Sequence, residues 1–408
     1  MTKVSFLGNF GTQNLGNECT LQAILGNLRK HLPDARVECI CPDPEDAGAR
    51  YGIATRQISS RSSHGPQART WPGHNHAVIR LLRRIVIRVP RELLEWMRAF
   101  RALKGTTMLI IPGSGVLGNF GIDVFGLHYE MMKWSLLAKV RGSKVLFVSV
   151  GGGRLRHPVS RWLIKSALAL ADYRSYRDTF SKQYLDSIGF DTSRDFVYPD
   201  LAFSLPGLES AEPDHTGSGR VIGVGLMDYY GTEYSPEHAE RLYHDYLESV
   251  TPFVTWLLEH DYTVRLLIGD VVYDKRVRQD VITRVSQRAV YEPGRLISEP
   301  VGSVDQLLSQ LATTDMVVAT RFHNVLLALA LNKPVVSISY DEKNDSLMTE
   351  LGLTEYCQSI RDIDVDKLVK QFIKLEENAA AIKSHIKHKT AEFRAALDAQ
   401  YQAIFGER

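Results

Sequence analysis

The chain has 408 residues, 49 basic and 47 acidic side chains, and a formal net charge of +2 at neutral pH. Its hydrophobic fraction of 44% is ordinary for a folded globular protein and excludes a mostly disordered chain. The balanced charge argues against a dedicated nucleic-acid binder, and the length argues for two domains, with room for a third.

The chain opens on a short apolar run, Val4 to Leu7. That is far below the apolar region of about 7–15 residues that a signal peptide needs. No run approaches the roughly 20 residues of a membrane span. Cys19, Cys39, Cys41 and Cys357 do not make a disulfide framework in so long a chain, and Cys39-Ile40-Cys41 is too tight for a zinc knuckle. Reduced thiols and a cytoplasmic location are expected.

In chain order, Val4 to Leu7 reads as a first strand. Cys19 to Leu32 reads as a helix, because Leu21, Ile24, Leu25 and Leu28 fall on one face. Val37 to Ile40 is a second strand. Arg56 to Trp71, with Ser59-Ser60, Ser62-Ser63, Gly65-Pro66 and four Arg or His residues, reads as an irregular loop. Arg80 to Lys104 has eight basic residues against Glu92 and Glu95, a local charge of +6, with apolar residues between them at helical spacing. Two readings stand for it. It is either the solvated outer face of a crossover helix or a helix lying on an anionic membrane surface, where each basic group contributes on the order of 1 kcal/mol. Met108 to Ile111 and Lys144 to Val150 are continuous apolar runs stopped by Pro112-Gly113 and Gly151-Gly152-Gly153, the pattern of buried parallel strands.

The polar stretch Glu209 to Arg220 is the best linker. A second series follows it, with strands at Val221 to Gly225, Tyr262 to Ile268, Met316 to Ala319 and Pro334 to Ser339. Helices are expected at Thr251 to Glu259 and His323 to Leu331. The predicted fold class is therefore α/β, with two Rossmann-like domains facing a cleft, over 1–207 and 220–366. Residues 367–408 read as C-terminal helices, either crossing back to the N-terminal domain or forming a subunit interface.

Several strand ends run into small and then polar residues. Gly8 to Glu18, which contains Asn14 and Asn17, precedes the first helix. Its glycines and the helix start suit an anion, and they equally suit a plain turn between strand and helix. Pro112-Gly113-Ser114-Gly115, with Asp123 following, and Gly151-Gly152-Gly153 read either as backbone kept bare for a ligand or as sharp exit turns. Thr320-Arg321-Phe322-His323-Asn324 combines a planar cationic fork with a side chain that exchanges a proton near neutral pH, at the start of a helix. Arg177-Asp178 is either a surface ion pair or a guanidinium held in the cleft. Asp270 and Asp274 stand too isolated for a metal cluster, so a metal-free site is expected.

Taken together these blocks resemble the polysaccharide pyruvyl transferase family. The resemblance rests on Asn14-Leu15-Gly16-Asn17-Glu18, the turn at 113–115, and Arg177-Asp178-x-x-Ser181. It rests further on Tyr198-Pro199-Asp200-Leu201-Ala202-Phe203, and most specifically on Thr320-Arg321-Phe322-His323 followed by Asn332-Lys333-Pro334 and Tyr340-Asp341-x-Lys343. It covers most of 1–40 and 105–355. The family usually has Asp where this chain has Asn17, and three or four glycines where it has Pro112-Gly113-Ser114-Gly115.

The resemblance implies an architecture similar to GT-B glycosyltransferases, with the acceptor on the N-terminal side and the donor on the C-terminal side. It implies transfer of a pyruvyl group from phosphoenolpyruvate to a saccharide, giving a pyruvate ketal and phosphate, in cell-surface polysaccharide synthesis. No cofactor is implied. By motif, His323 would be the general acid and Arg321 its catalytic partner. Arg177, Arg321, Gly151, Gly152 and Asn324 would bind the donor. Asn14, Asn17, Glu18, Gly113, Ser114, Asp123 and Asp200 would bind the acceptor or orient the cleft. The acceptor is either soluble or lipid-linked; in the second case Arg80 to Lys104 would hold the protein at the inner face of the membrane. Other readings are a nucleotide-sugar glycosyltransferase on the same architecture, a divergent transfer reaction, and a non-catalytic binding module. The Arg-x-His pair argues against the last.

Overall fold

A computed structural model describes residues 2–59, 77–113, 115–118, 124–208, 220–231, 235–288 and 290–406, without the side chains of 77–88, 124, 125 and 236. The first half carries β1 (Lys3–Leu7), α1 (Leu15–His31), β2 (Arg36–Cys41), α2 (Pro44–Tyr51), β3 (Ala54–Gln57) and α3 (Ala77–Ala102). It continues with β4 (Met108–Pro112), α4 (Tyr129–Val140), β5 (Lys144–Val150), α5 (Pro158–Ala169), β6 (Tyr173–Tyr176), α6 (Thr179–Ser187) and β7 (Phe196–Val197). Among the described residues these strands form one parallel sheet in the order β3-β2-β1-β4-β5-β6-β7. Val4 pairs with Val37 on one side and Met108 on the other, so the winding reverses between β1 and β4.

The second half carries β8 (Val221–Leu226), α7 (Pro236–Glu259), β9 (Thr263–Ile268), α8 (Asp274–Arg288), β10 (Leu296–Ile297) and α9 (Val304–Ala312). After these come β11 (Met316–Ala319), α10 (Phe322–Ala330), β12 (Val335–Ser339), α11 (Glu342–Glu350) and β13 (Cys357–Ser359). Its sheet order is β10-β9-β8-β11-β12-β13, with the reversal between β8 and β11. In open α/β sheets ligands bind outside the carboxyl ends of strands at such reversals. The chain ends in α12 (Val365–Glu377) and α13 (Ala379–Phe405). α13 lies against the first half: Ser149 Oγ donates to Gln400 Oε1 at 3.1 Å, and Tyr401 and Ser204 hydroxyls meet at 2.8 Å. It also touches the second half, where Arg394 donates to the Ala330 carbonyl.

Several elements depart from the sequence reading. Arg56 and Gln57, expected in a loop, end the edge strand β3, paired with Ile40 and Cys41; residues 60–71 of that stretch lie outside the described residues, as does the linker from 209 to 219. The first helix starts at Leu15 rather than Cys19, because the Asn14 side chain accepts from the Gly16 and Asn17 amides. α7 starts at Pro236, fifteen residues ahead of the start expected at Thr251, and runs through Pro252. The four cysteines are free thiols.

Candidate active site between the two sheets

Among the places where the halves touch are two loops at strand ends. Leu15 donates to the Gly269 carbonyl at 2.9 Å, Val271 donates to the Gln13 carbonyl at 3.0 Å, and Asn14 Nδ2 donates to Asp270 Oδ2 at 3.2 Å. Gln13 adopts φ +62, in the left-handed region that most residues avoid. This seam brings the start of α1 against the start of α10. A Cβ at Gly16 would lie 2.1 Å from His323 Nδ1, so only glycine lets the imidazole sit there.

Arg177 follows β6 and reaches the same place from the first half. Its guanidinium is 4.6 Å from the Phe322 ring centroid, and its side chain is only 2% exposed. Asp200 Oδ2 accepts from Nη1 at 3.0 Å, and Asp178 lies 3.5 Å from Nε. Burial would lower the proton affinity of this guanidinium, and the two carboxylates outweigh that and raise it. Nε and Nη2 are buried with no hydrogen-bond partner. The same is true of His323 Nε2, both side-chain polar atoms of Asn324, and Asn344 Oδ1. Buried polar atoms are nearly always paired, each orphan costing roughly 1–3 kcal/mol. A cluster of orphans supplied from both halves fits a polar ligand that completes them.

The His323 imidazole is pushed down to about 4, first by burial and then by Arg177, Lys343 and Arg321, with Asp200 opposing. Arg321 is the N-cap residue of α10, just past β11 at the reversal, but its fork is taken. Nε donates to Asp274 Oδ2 at 2.9 Å and Nη2 to Oδ1 at 2.5 Å. Asp274 is fully buried and also accepts from the Asp228, Gly269 and Asp270 amides. Asp274, which nothing in the local sequence marks, therefore fixes the direction of Arg321. Lys343, 5.9 Å from the Phe322 ring, is a further cation here, and it stands in a motif that the sequence reading quoted without giving it a role.

Other candidate residues have different placements. Asn324 lies beneath this cluster, fully buried. Asp200 faces inward: one oxygen holds Arg177 and the other caps Ala202. Glu18 is buried too, accepting from the Gly11 amide at 2.8 Å and the Tyr51 hydroxyl at 2.6 Å, so it braces the 8–18 loop. Asn14 caps α1, and Asn17 is partly exposed in its first turn.

The triple glycine is packed by protein rather than bare. A Cβ at Gly151 would strike Arg177 Nε, one at Gly152 would strike the Gly118 backbone, and one at Gly153 would lie 3.0 Å from Asp341 Oδ2. At Gly113 a Cβ would lie 2.5 Å from the Ser149 carbonyl. Ser114 and Asp123 lie outside the described residues. A cavity of about 430 Å³ opens beside α1, lined by Glu18, Gln22, Arg29, Arg50, Tyr51 and Asp305 among others; Arg321 and His323 do not line it. Among the described residues no group of three or more His, Cys, Asp or Glu side chains is placed to hold a metal ion.

The fold is similar to that of several solved proteins, UDP-GlcNAc 2-epimerases among them. The UDP-GlcNAc 2-epimerase of Methanocaldococcus jannaschii superposes with a TM-score of 0.59 at 13% identity, covering 91% of this chain and 92% of that one. Anabaena HepE, solved in complex with UDP, gives 0.59 at 11% identity, covering 98% and 100%. The Neisseria meningitidis UDP-GlcNAc 2-epimerase, bound to UDP-GlcNAc, gives 0.57 at 12% identity, covering 95% and 94%. At such identities the likeness is one of fold, of the GT-B-like kind. No curated protein sequence matches this chain. The sequence profile of polysaccharide pyruvyl transferase matches residues 14–342, a span that contains the β8–β11 reversal, Arg177, Arg321 and His323, and the chain belongs to that family of transferases.

Proposed function

We propose that the protein transfers the pyruvyl unit of phosphoenolpyruvate to two hydroxyls of a saccharide, forming a ketal and releasing phosphate. The observation that carries this reading is the pair of buried, unsatisfied groups contributed by opposite halves, Arg177 Nε and Nη2 and His323 Nε2. A small donor with a carboxylate and a phosphate would complete them, with Arg321 and Lys343 adding positive charge nearby. In the reaction the donor methylene gains a proton and becomes a methyl group. One hydroxyl forms a bond to the adjacent carbon, the second hydroxyl displaces phosphate from it, and phosphate leaves with the electrons of the broken C–O bond. Of the two hydroxyl protons released, one balances the methyl group and the other the phosphate.

His323 is the proton carrier in this scheme. General acid–base catalysis contributes about 10²–10⁴-fold, so His323→Ala is expected to fold and to lose turnover by that order. The test is incubation with phosphoenolpyruvate and a panel of saccharides, followed by phosphate release and product mass. A product heavier by a ketal-linked pyruvate supports the reading. The fold's nucleotide-sugar relatives supply the competing outcome: stabilisation by UDP-sugars with none by phosphoenolpyruvate overturns it. A ligand at about 100 times its Kd adds roughly 2.7 kcal/mol, which a thermal shift resolves.

A further inference from the structure

Among the described residues, α3 leaves an apolar face uncovered. Val89 is 51% exposed, Leu93 60%, Leu94 48% and Met97 46%. Val89, Leu93 and Met97 are spaced four apart and so form one stripe, with Leu94 beside it. Other sides of the helix are anchored: Ala99 and Ala102 are buried, as is Leu103 just past its end, and beside the stripe Trp96 Nε1 donates to the Tyr129 hydroxyl. Large apolar groups in solvent are common singly, but a contiguous stripe marks a contact surface.

The surrounding charge says what covers it. Arg91, Arg98 and Arg101 lie on the same stretch of α3; the Arg98 side chain is 69% exposed and pairs with Glu95 at 2.8 Å, and with Glu92 and Glu95 counted the segment from Arg80 to Lys104 still keeps a charge of +6. The sequence before the stripe continues in the same manner, with Arg80, Arg83, Arg84 and Arg88 among Leu81, Leu82, Ile85 and Val86. A second copy of this face would bring like charge against like charge, whereas an anionic lipid surface offers both an apolar layer and opposite charge. No helix of the described residues is long and apolar enough to cross a membrane, so the contact is one of lying on the surface.

The direction of α3 adds to the argument. Lys3, at the start of β1, donates to the Ala102 carbonyl at 3.1 Å, so α3 ends at the amino edge of the sheet. Its beginning therefore lies toward the carboxyl edge, where Gly151 and Arg177 face the second half.

We infer that the protein docks peripherally on an anionic lipid surface through Val89, Leu93, Leu94 and Met97 and the arginines beside them. The test is cosedimentation of the full chain with vesicles, either phosphatidylcholine alone or with about one third phosphatidylglycerol, at about 0.1 and 0.5 M salt. Binding to the anionic vesicles is expected to exceed binding to neutral ones by about tenfold or more and to weaken with salt. Leu93→Asp with Met97→Asp, and separately Arg98→Glu with Arg101→Glu, should each reduce it about tenfold while leaving the thermal midpoint in place. Equal or absent binding to both vesicle types overturns the inference. So does a dimer in sedimentation velocity that Leu93→Asp dissolves, because that result assigns the stripe to a second copy. The vesicle assay needs no substrate, so its outcome is independent of the proposed reaction.

Discussion

Donor binding should load a proton onto His323. In the free protein the imidazole is held at about 4, below its ordinary 6.5, with burial as the largest cause and three cations behind it. A displacement of that size corresponds to about 3 kcal/mol against the protonated ring. At pH 6 about 1% of the sites then carry the proton. One negative charge about 5 Å away contributes about 3 kcal/mol at an effective dielectric near 20, enough to cancel the deficit. A donor that brings both a carboxylate and a phosphate among Arg177, Arg321 and Lys343 therefore restores the ring to about its ordinary value. Roughly three quarters of a proton per site should be taken up at pH 6.

The assay is calorimetry of phosphoenolpyruvate binding at pH 6 in two buffers of different ionisation enthalpy, with His323→Gln as the reference. The difference between the two proteins isolates the proton on this ring. Nitrogen-15 spectra of the 13 histidines give the direct check, with the missing signal in the variant identifying His323. A free-state titration near 6.5, or equal proton uptake by both proteins, would refute the reasoning. Linkage supplies a further sign. Because the folded value is depressed, the contribution of this ring to stability is complete above about pH 6.5 and is lost as the pH falls toward 4.

Further outcomes follow from the seam. Gly16→Ala should push the His323 ring aside and cut turnover at least about tenfold, with a change in unfolding free energy of only about 1 kcal/mol; wild-type turnover in that variant would remove the close approach from the mechanism. Asp274→Ala strips a buried guanidinium of its partner, and denaturant titration should show a loss of about 3–5 kcal/mol; an unchanged midpoint would show that Arg321 does not depend on the pair. Glu350 on α11 accepts from the Thr179 amide of α6, across the halves, and is pushed up to about 7, chiefly by burial and next by Asp178. Its folded value is raised, so its stabilising contribution is present below about pH 4.5 and is lost as the pH rises through 7. Glu350→Gln should therefore raise the thermal midpoint at pH 8 and leave it alone at pH 4, and equal effects at both pH values would refute this.

What the sequence made legible was what is local. Continuous apolar runs marked β5 and β11 to the residue, because a strand buried on both faces carries its signal in its own side chains. The edge strand β3, Ala-Thr-Arg-Gln, has no such run and is held by its pairing with β2, a partner some fifteen residues earlier that no local pattern announces. The Arg-x-His turn was visible because both groups sit within three positions. The Asp274 that orients Arg321 is 47 residues away in sequence, and it reaches Arg321 only because β9 and β11 flank β8.

The glycines show how a local signal can be right about position and wrong about cause. Gly151 and Gly16 are both places where a side chain cannot be tolerated, as the sequence suggested, yet what fills the space is Arg177 in one case and His323 in the other. Each glycine belongs to the first half. One holds back so that a cation of its own half can turn inward, and the other so that an imidazole of the second half can approach. Neither residue makes the site alone. Arg177 is aimed by Asp200 and stacked on Phe322, while His323 is lodged against the start of α1, so the two unsatisfied groups exist together only when the halves meet, as they do at Asn14 and Asp270 among other contacts. A site divided in this way ties donor capture to the seam between the halves. Loosening the Asn14–Asp270 contact should therefore weaken donor binding without touching any group that meets the donor.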